Sequence, residues 1–234
     1  MNWQRDCAAV IPCFNEAAQI QRVVNTVREY LPTVIVVDDG STDRTAQKAD
    51  FAGAEILRLD RNSGKGAALR QGWRRAKDLG FPWVLMLDGD AQHAATDIPK
   101  FFARAQATGA DLVVGNRMNH IQHMPFMRRW ANQWMSRRIS RLAGRHLPDS
   151  QCGFRLARLE SLLKLSLRAS RFEIESEMLL GFLAAEKQVE FVPVRTIYES
   201  RASKINPLTD TWRWLRWSQA QRTLLRACST IRVP

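Results

Sequence analysis

Short apolar runs alternate with longer amphipathic stretches through the first half of the chain. Runs at 7–11, 34–37, 54–59 and 83–87 are nearly continuous in Val, Ile, Leu and Ala, the pattern of strands covered on both faces. Between and after them, apolar residues recur at helical spacing over 17–30, 42–52, 66–79 and 98–108, and a further strand-like run follows at 111–115. This βαβ order predicts an α/β fold with a mostly parallel sheet and helices on both faces. In an open sheet of that kind the ligand lies beyond the carboxyl ends of the strands. Three loops fall there: Pro12-Cys13-Phe14-Asn15-Glu16, Asp38-Asp39, and Asp88-Gly89-Asp90-Ala91-Gln92.

Acids at two strand ends are the main chemical signal. Asp-Gly alone is a common turn, but Asp38-Asp39 also ends a buried run and leads into Gly40-Ser41-Thr42-Asp43, a turn with helix-capping residues. The first strand leads into Pro12 to Glu16 instead of a Gly-x-Gly-x-x-Gly turn, which excludes a dinucleotide-binding fingerprint. Asn62-Ser63-Gly64-Lys65-Gly66 has Leu59 and Gly66 where a Walker loop needs Gly and Ser or Thr, so it reads either as a close backbone approach to a ligand with Lys65 supplying a charge, or as a simple turn leading into a helix. Asp88 and Asp90, spaced i and i+2 on a loop, can both turn toward one Mg²⁺ or Mn²⁺, with Gln92 adding an amide oxygen or holding a water. A nucleotide diphosphate sugar would complete such a shell and lose its diphosphate to it.

Composition changes the picture in the second half. The net charge of +12 is unevenly distributed: residues 1–116 are neutral, 117–171 carry +10, 172–206 carry −2 and 207–234 carry +4. A field this one-sided suits an anionic partner, an anionic membrane surface or a phosphorylated lipid. Nucleic acid is not expected, because no recognised nucleic-acid module accompanies the basic residues. Cys7, Cys13, Cys152 and Cys228 show neither zinc-site nor disulfide spacing and read as reduced thiols. Without a signal peptide or a run of about 20 apolar residues, the expected location is cytoplasmic and peripheral on a membrane.

Together the Ile11 to Glu16, Val36 to Asp43, Asn62 to Gly66 and Asp88 to Gln92 segments resemble the family 2 glycosyltransferases of the GT-A fold. Within that family, Gly115-Asn116-Arg117, Asp149 to Arg155 and Tyr198 to Ile205 are similar to dolichyl-phosphate mannose synthase and bacterial polyprenyl-phosphate glycosyltransferases. The resemblance runs from about residue 7 to 206 in order, which delimits a catalytic domain (1–206) with a donor half to 116 and a basic acceptor half beyond it. It implies an inverting hexosyl transfer from a GDP- or UDP-sugar to a lipid phosphate. Pro12, Phe14, Glu16, Asp38 and Asp39 would hold the base and ribose, Asp88, Asp90 and Gln92 the metal, and Arg201, Ser203 and Lys204 a loop that closes over the diphosphate. Arg117 would bind the acceptor phosphate, with Arg128 or Arg129 as a second contact; Asn132 stands where the family has a serine.

Met127, Trp130, Ala131, Trp134, Met135, Ile139 and Leu142 recur at helical spacing among six arginines, which predicts a basic amphipathic helix suited to a membrane interface, the alternative being a core helix whose arginines are solvated. Residues 207–234, with Trp212, Trp214 and Trp217 among arginines, predict a second such helix, bound to membrane or packed on the domain. A phosphate acceptor is already ionised and attacks without a base; a hydroxyl acceptor needs one, and Asp149 is then the candidate.

Overall fold

A computed structural model of the chain describes residues 1–119, 124, 126–197 and 212–220, the side chains of Asn119 and Arg128 excepted. The expectations for Arg201, Ser203, Lys204 and the Arg128 side chain lie outside the described residues.

Among the described residues the five apolar runs and two further strands form one seven-stranded sheet: β1 (Cys7–Cys13), β2 (Val34–Asp38), β3 (Glu55–Arg58), β4 (Trp83–Met86), β5 (Leu112–Asn116), β6 (Arg155–Arg158) and β7 (Val189–Pro193). Their spatial order is β3-β2-β1-β4-β6-β5-β7, and only β6 runs antiparallel to its neighbours β4 and β5. Because β6 sits between β4 and β5, the sheet runs across the boundary between the donor and acceptor halves of the sequence.

Helices interleave with these strands: α1 (Trp3–Asp6), α2 (Ile20–Arg28), α3 (Thr45–Phe51), α4 (Lys65–Asp78), α5 (Ile98–Thr108), α6 (Phe126–Ala143), which packs against α8, then α7 (Leu159–Leu163) and α8 (Ile174–Ala184). In α2 the buried residues are Ile20, Val23, Val24 and Val27, one face at i, i+3, i+4 and i+7. Burying each such side chain contributes about 1.5–3 kcal/mol.

Two helices begin later than the periodicity suggests, for one shared reason. Ser41, Asp43 and Thr45 accept hydrogen bonds from the backbone N–H groups of Asn15 (2.9 Å), Ala17 (3.1 Å) and Glu16 (2.8 Å). Residues that look like the start of α3 therefore hold the loop after β1, and the regular turns of both α2 and α3 begin beyond that junction.

The second half carries the elements that the alternating pattern did not reveal. In β6 the sequence Arg-Leu-Ala-Arg gives no apolar run, yet Arg155 is buried, its guanidinium donating to the carbonyls of Cys152 (2.8 Å), Ser150 (2.9 Å) and Glu175 (2.6 Å). Three carbonyl acceptors satisfy a group that would otherwise be costly to bury.

The expected amphipathic helix is present as α6, and its two ends have different surroundings. Ile139 is buried and Trp134, Met135 and Leu142 pack on the core, whereas Phe126, Met127 and Trp130 at its start are exposed, at 76%, 71% and 56%. Residues 212–220 form a second helix that packs on the domain: Trp214 is buried, its indole N–H donating to Ser176 Oγ at 3.1 Å, and Arg138 Nε donates to Ser218 Oγ at 2.9 Å. Indole contacts join the two helices, Trp134 to Trp214 with ring centres 5.7 Å apart. Among the described residues no helix is long and apolar enough to cross a membrane.

Candidate active site

The carboxyl ends of β1, β2 and β4 meet at one edge of the sheet. Cys13 pairs in register with Asp38, and the Asp39 N–H donates to the Cys13 carbonyl at 2.8 Å, so the first two loops leave the sheet at the same level. The Asp88-Gly89-Asp90 turn packs against the first of these: a Cβ on Gly89 would stand 2.5 Å from Cys13 Sγ. Phe14 and Glu16 on the β1 loop, Asp38 and Asp39 at the end of β2 and the acids after β4 thus lie on neighbouring loops beyond the carboxyl ends of the strands, where open sheets bind ligands.

Asp38, the last residue of β2, and Asp39 just beyond it are both buried and already engaged. Asp38 Oδ1 accepts the Ser41 N–H at 3.0 Å, and Oδ2 lies 3.5 Å from Arg58 Nε. Asp39 accepts the Ser63 N–H on one oxygen and the Gly64 N–H on the other, each at 2.7 Å. Burial raises the Asp39 carboxyl above the usual carboxylate range, although these two N–H groups and Arg171 pull against it. Asp39 is therefore the clamp that fixes the Asn62-Ser63-Gly64-Lys65 loop over the sheet edge. Gly40 makes this approach possible: its φ is +73°, and a Cβ there would stand 2.6 Å from the Arg61 backbone.

That clamp delivers Lys65, the first residue of α4. Its Nζ lies 2.5 Å from Asp88 Oδ1 and 2.5 Å from Glu175 Oε1. Burial opposes the ammonium charge, but the two carboxylates outweigh it and hold Lys65 above the usual lysine range. For Asp88, burial likewise opposes ionisation, and Lys65 with His93 overcomes it, leaving the carboxyl far below its ordinary value. His93 Nε2 stands 3.3 Å from Asp88 Oδ2. Gly153 closes the far side, where a Cβ would lie 2.8 Å from both Asp88 Oδ2 and Lys65 Nζ.

A divalent cation fits the chemistry of this donor set. Asp88 and Asp90 offer hard carboxylate oxygens from one turn, Asp90 Oδ1 accepting the Gln92 N–H at 3.1 Å. Among the described residues no group of three His, Cys, Asp or Glu side chains converges to hold a metal alone. A cation between Asp88 and Asp90 would accordingly draw further ligands from the Gln92 amide and from the diphosphate of a bound donor.

On the other side of β6, Arg117 follows the end of β5 and meets Asp149. Nε donates to Oδ2 at 2.8 Å and Nη2 to Oδ1 at 2.9 Å, while the backbone N–H groups of Arg117 and Gln151 add bonds at 3.2 Å and 3.0 Å. Asp149 is fully buried, a penalty on its charge that Arg117 more than offsets, so its carboxyl lies below the ordinary range. The 149–153 loop links both groups of charges, since it carries Asp149 at one end and Gly153 against Asp88 and Lys65 at the other. Arg129, on the first turns of α6, is half-buried.

Sequence reasoning did not single out Glu175, His93 or Gly153. Gln92-His93 directly follows the acidic turn and was the available signal for His93; Glu175 lies in a Glu-rich helix start whose partners come from distant segments.

Comparison with known proteins agrees with this architecture. The family model described as "Glycosyl transferase family 2" matches residues 8–166. A UDP-N-acetylglucosamine–dolichyl-phosphate N-acetylglucosaminyltransferase of Methanococcus voltae is 30% identical over 81% of this chain and 84% of its own. An undecaprenyl-phosphate mannosyltransferase of Micrococcus luteus is 26% identical over 83% of this chain and 86% of its own. Among solved structures, glucosyl-3-phosphoglycerate synthase of Mycobacterium tuberculosis, in complex with Mn²⁺, uridine diphosphate and phosphoglyceric acid, superposes with a TM-score of 0.70 at 21% identity, covering 98% of this chain and 80% of the other. The chain belongs to glycosyltransferase family 2 and is a glycosyltransferase of the GT-A fold.

Proposed function

We propose that the protein transfers a hexose from a GDP- or UDP-sugar to a polyprenyl or dolichyl phosphate, with inversion at the anomeric carbon and with Mg²⁺ or Mn²⁺. The observation that carries this reading is the fixing of Arg117 by Asp149 at one end of the loop whose other end, Gly153, lies against the Asp88–Lys65 pair. A cation-binding donor side and an arginine held for an anion thus share one loop. The names of the relatives from Methanococcus voltae and Micrococcus luteus support a lipid phosphate as the acceptor.

In this mechanism Phe14, Glu16, Asp38 and Asp39 surround the nucleoside, and Pro12 shapes the strand end beneath it. Asp88, Asp90 and Gln92 hold the cation, which when bound neutralises the charge developing on the leaving diphosphate. Lys65 adds a fixed positive charge beside that group. Arg201, Ser203 and Lys204 are assigned to the diphosphate from the resemblance alone. Arg117, with Arg129 and Arg128, orients the acceptor phosphate. One of its oxygens forms the new bond to the anomeric carbon as the bond to the diphosphate breaks, so orientation supplies most of the rate.

Asp149 is a positioning residue in this account and not a base. Its four hydrogen bonds and its depressed carboxyl suit holding a guanidinium plane, whereas a base needs a lone pair aimed at substrate and a pKa near the working pH. The exposed Phe126, Met127 and Trp130 at the start of α6, with Trp212 on the second helix, fit shallow insertion into a membrane interface whose anionic headgroups meet the neighbouring arginines. Residues 1–206 are assigned to catalysis, and the exposed side of the 212–220 helix, opposite the buried Trp214, to that surface.

The acceptor reading is tested by offering polyprenyl phosphate and the matching polyprenol side by side with one active donor. Product from the phosphate only supports it. Product from the alcohol would transfer the reading to a hydroxyl acceptor.

A further inference from the structure

Lys65 is shared between two acids that arrive from different parts of the chain, Asp88 after β4 and Glu175 in the first turn of α8. Glu175 is 5% exposed, and its second oxygen, Oε2, has no hydrogen-bond partner among the described residues. A carboxylate in that setting is costly unless its charge is paired, and a well-packed apolar residue would be cheaper for the fold alone. Its place is also rigidly set: the buried Arg155 guanidinium donates to the Glu175 carbonyl at 2.6 Å and to the Ser150 carbonyl at 2.9 Å, tying the start of α8 to the 149–153 loop.

The consequence concerns Asp88. A cation that takes Asp88 as ligand competes with the Lys65 ammonium for the same carboxylate. With Glu175 present, Lys65 keeps a full carboxylate partner after Asp88 turns away; without it, cation binding leaves a buried ammonium lacking one. We propose that Glu175 is a positioning residue for the cation site, holding Lys65 so that Asp88 can be given up to Mg²⁺ or Mn²⁺ while the ammonium stays beside the diphosphate. This rests on the cation-dependent reading above. It makes Glu175 a determinant of cation affinity without being a ligand.

The test is Mn²⁺ binding, followed through the electron paramagnetic resonance signal of free Mn²⁺, to the full chain with saturating UDP and, separately, GDP. The parent, Glu175→Gln, Lys65→Met and the double variant are compared. Glu175→Gln is expected to weaken Mn²⁺ affinity about tenfold with a melting temperature near the parent's. In the Lys65→Met background the same change should alter affinity less than twofold, because Glu175 acts through Lys65. Equal weakening in both backgrounds would reduce Glu175 to a distant negative charge and overturn the proposal, as would unchanged affinity in Glu175→Gln. If Glu175→Gln does not fold, Glu175→Asp keeps the charge but withdraws it from Lys65 by one methylene; it should weaken binding about threefold, and parent-like affinity would overturn the role. A parent that binds no Mn²⁺ with either nucleotide removes the cation reading itself and this role with it, whereas parent binding with an unaffected Glu175→Gln removes only the role of Glu175.

Discussion

Arg117 and Asp149 face each other edge to edge, with Nε to Oδ2 at 2.8 Å and Nη2 to Oδ1 at 2.9 Å, and the carboxylate is fully buried behind the guanidinium. A two-point pair of this kind fixes the guanidinium plane, the property a phosphate contact needs. Asp149→Asn keeps the shape but removes the charge and one acceptor. It should raise the KM for the acceptor about tenfold or more, at ~1.4 kcal/mol per factor of ten, and leave the pH profile of kcat unchanged in form. Loss of the acidic limb of that profile would instead identify Asp149 as a base.

The same pair predicts how stability responds to acid. The Asp149 carboxyl titrates below its ordinary value in the folded protein, so its stabilisation is present above the unfolded value near 3.8 and disappears as pH falls through the lower folded value. Asp149→Asn should therefore melt lower than the parent at pH 7, and the gap should narrow when both are unfolded in denaturant below about pH 4. A constant gap from pH 7 to pH 3 would contradict the assignment.

Asp39 has the opposite sign. Burial raises its carboxyl, so ionised Asp39 costs folded stability at neutral pH, a cost relieved as pH falls through the raised value. The cost is carried because the carboxylate holds the Ser63 and Gly64 N–H groups that aim Lys65. Asp39→Ala should weaken nucleotide sugar binding at least tenfold by calorimetry, with little change in acceptor KM. Parent-like donor affinity would separate the clamp from donor binding.

Much of the donor side was legible from residue pattern because its signals are local. The strands at β1, β2 and β4 are almost uninterrupted apolar runs, Asp38-Asp39 closes β2 and Asp88 follows β4 after Leu87, so strand order brings these loops together. Elements of the second half were less visible for physical reasons. β6 is a strand with arginine at both ends: carbonyls from the 150–152 segment and from α8 hold Arg155, and Asp111 with the Trp83 ring holds Arg158. Glu175 acquires meaning through a lysine 110 positions earlier, a contact that no periodicity encodes. Whether the 212–220 helix meets membrane or domain is not encoded in its spacing; its buried Trp214 and exposed Trp212 show that one face packs on the domain and the other does not.

The exposed start of α6 gives a direct surface test. Replacing Phe126, Met127 and Trp130 together by Ser should reduce cosedimentation with vesicles containing anionic phospholipid by about tenfold, with activity on a short-chain, water-soluble acceptor kept near the parent level. Unchanged sedimentation would remove these side chains from the membrane surface.

Asp90→Ala removes a carboxylate of the acidic turn without emptying the apolar core, since Asp90 is only half-buried. Transfer should fall by about a thousandfold or more, a loss of ~4 kcal/mol in transition-state stabilisation, while the melting temperature stays near the parent's. A variant retaining most of its activity would displace Asp90 from the cation.

Sugar transfer to a lipid phosphate is read directly by offering short-chain polyprenyl phosphate with a panel of radiolabelled GDP- and UDP-sugars, with Mg²⁺ or Mn²⁺ and with chelator. An acid-labile glycolipid is expected from at least one donor, abolished by chelator and restored by the cation. Donor binding or hydrolysis with no glycolipid from any sugar, or a glycolipid formed equally well in chelator, would contradict it.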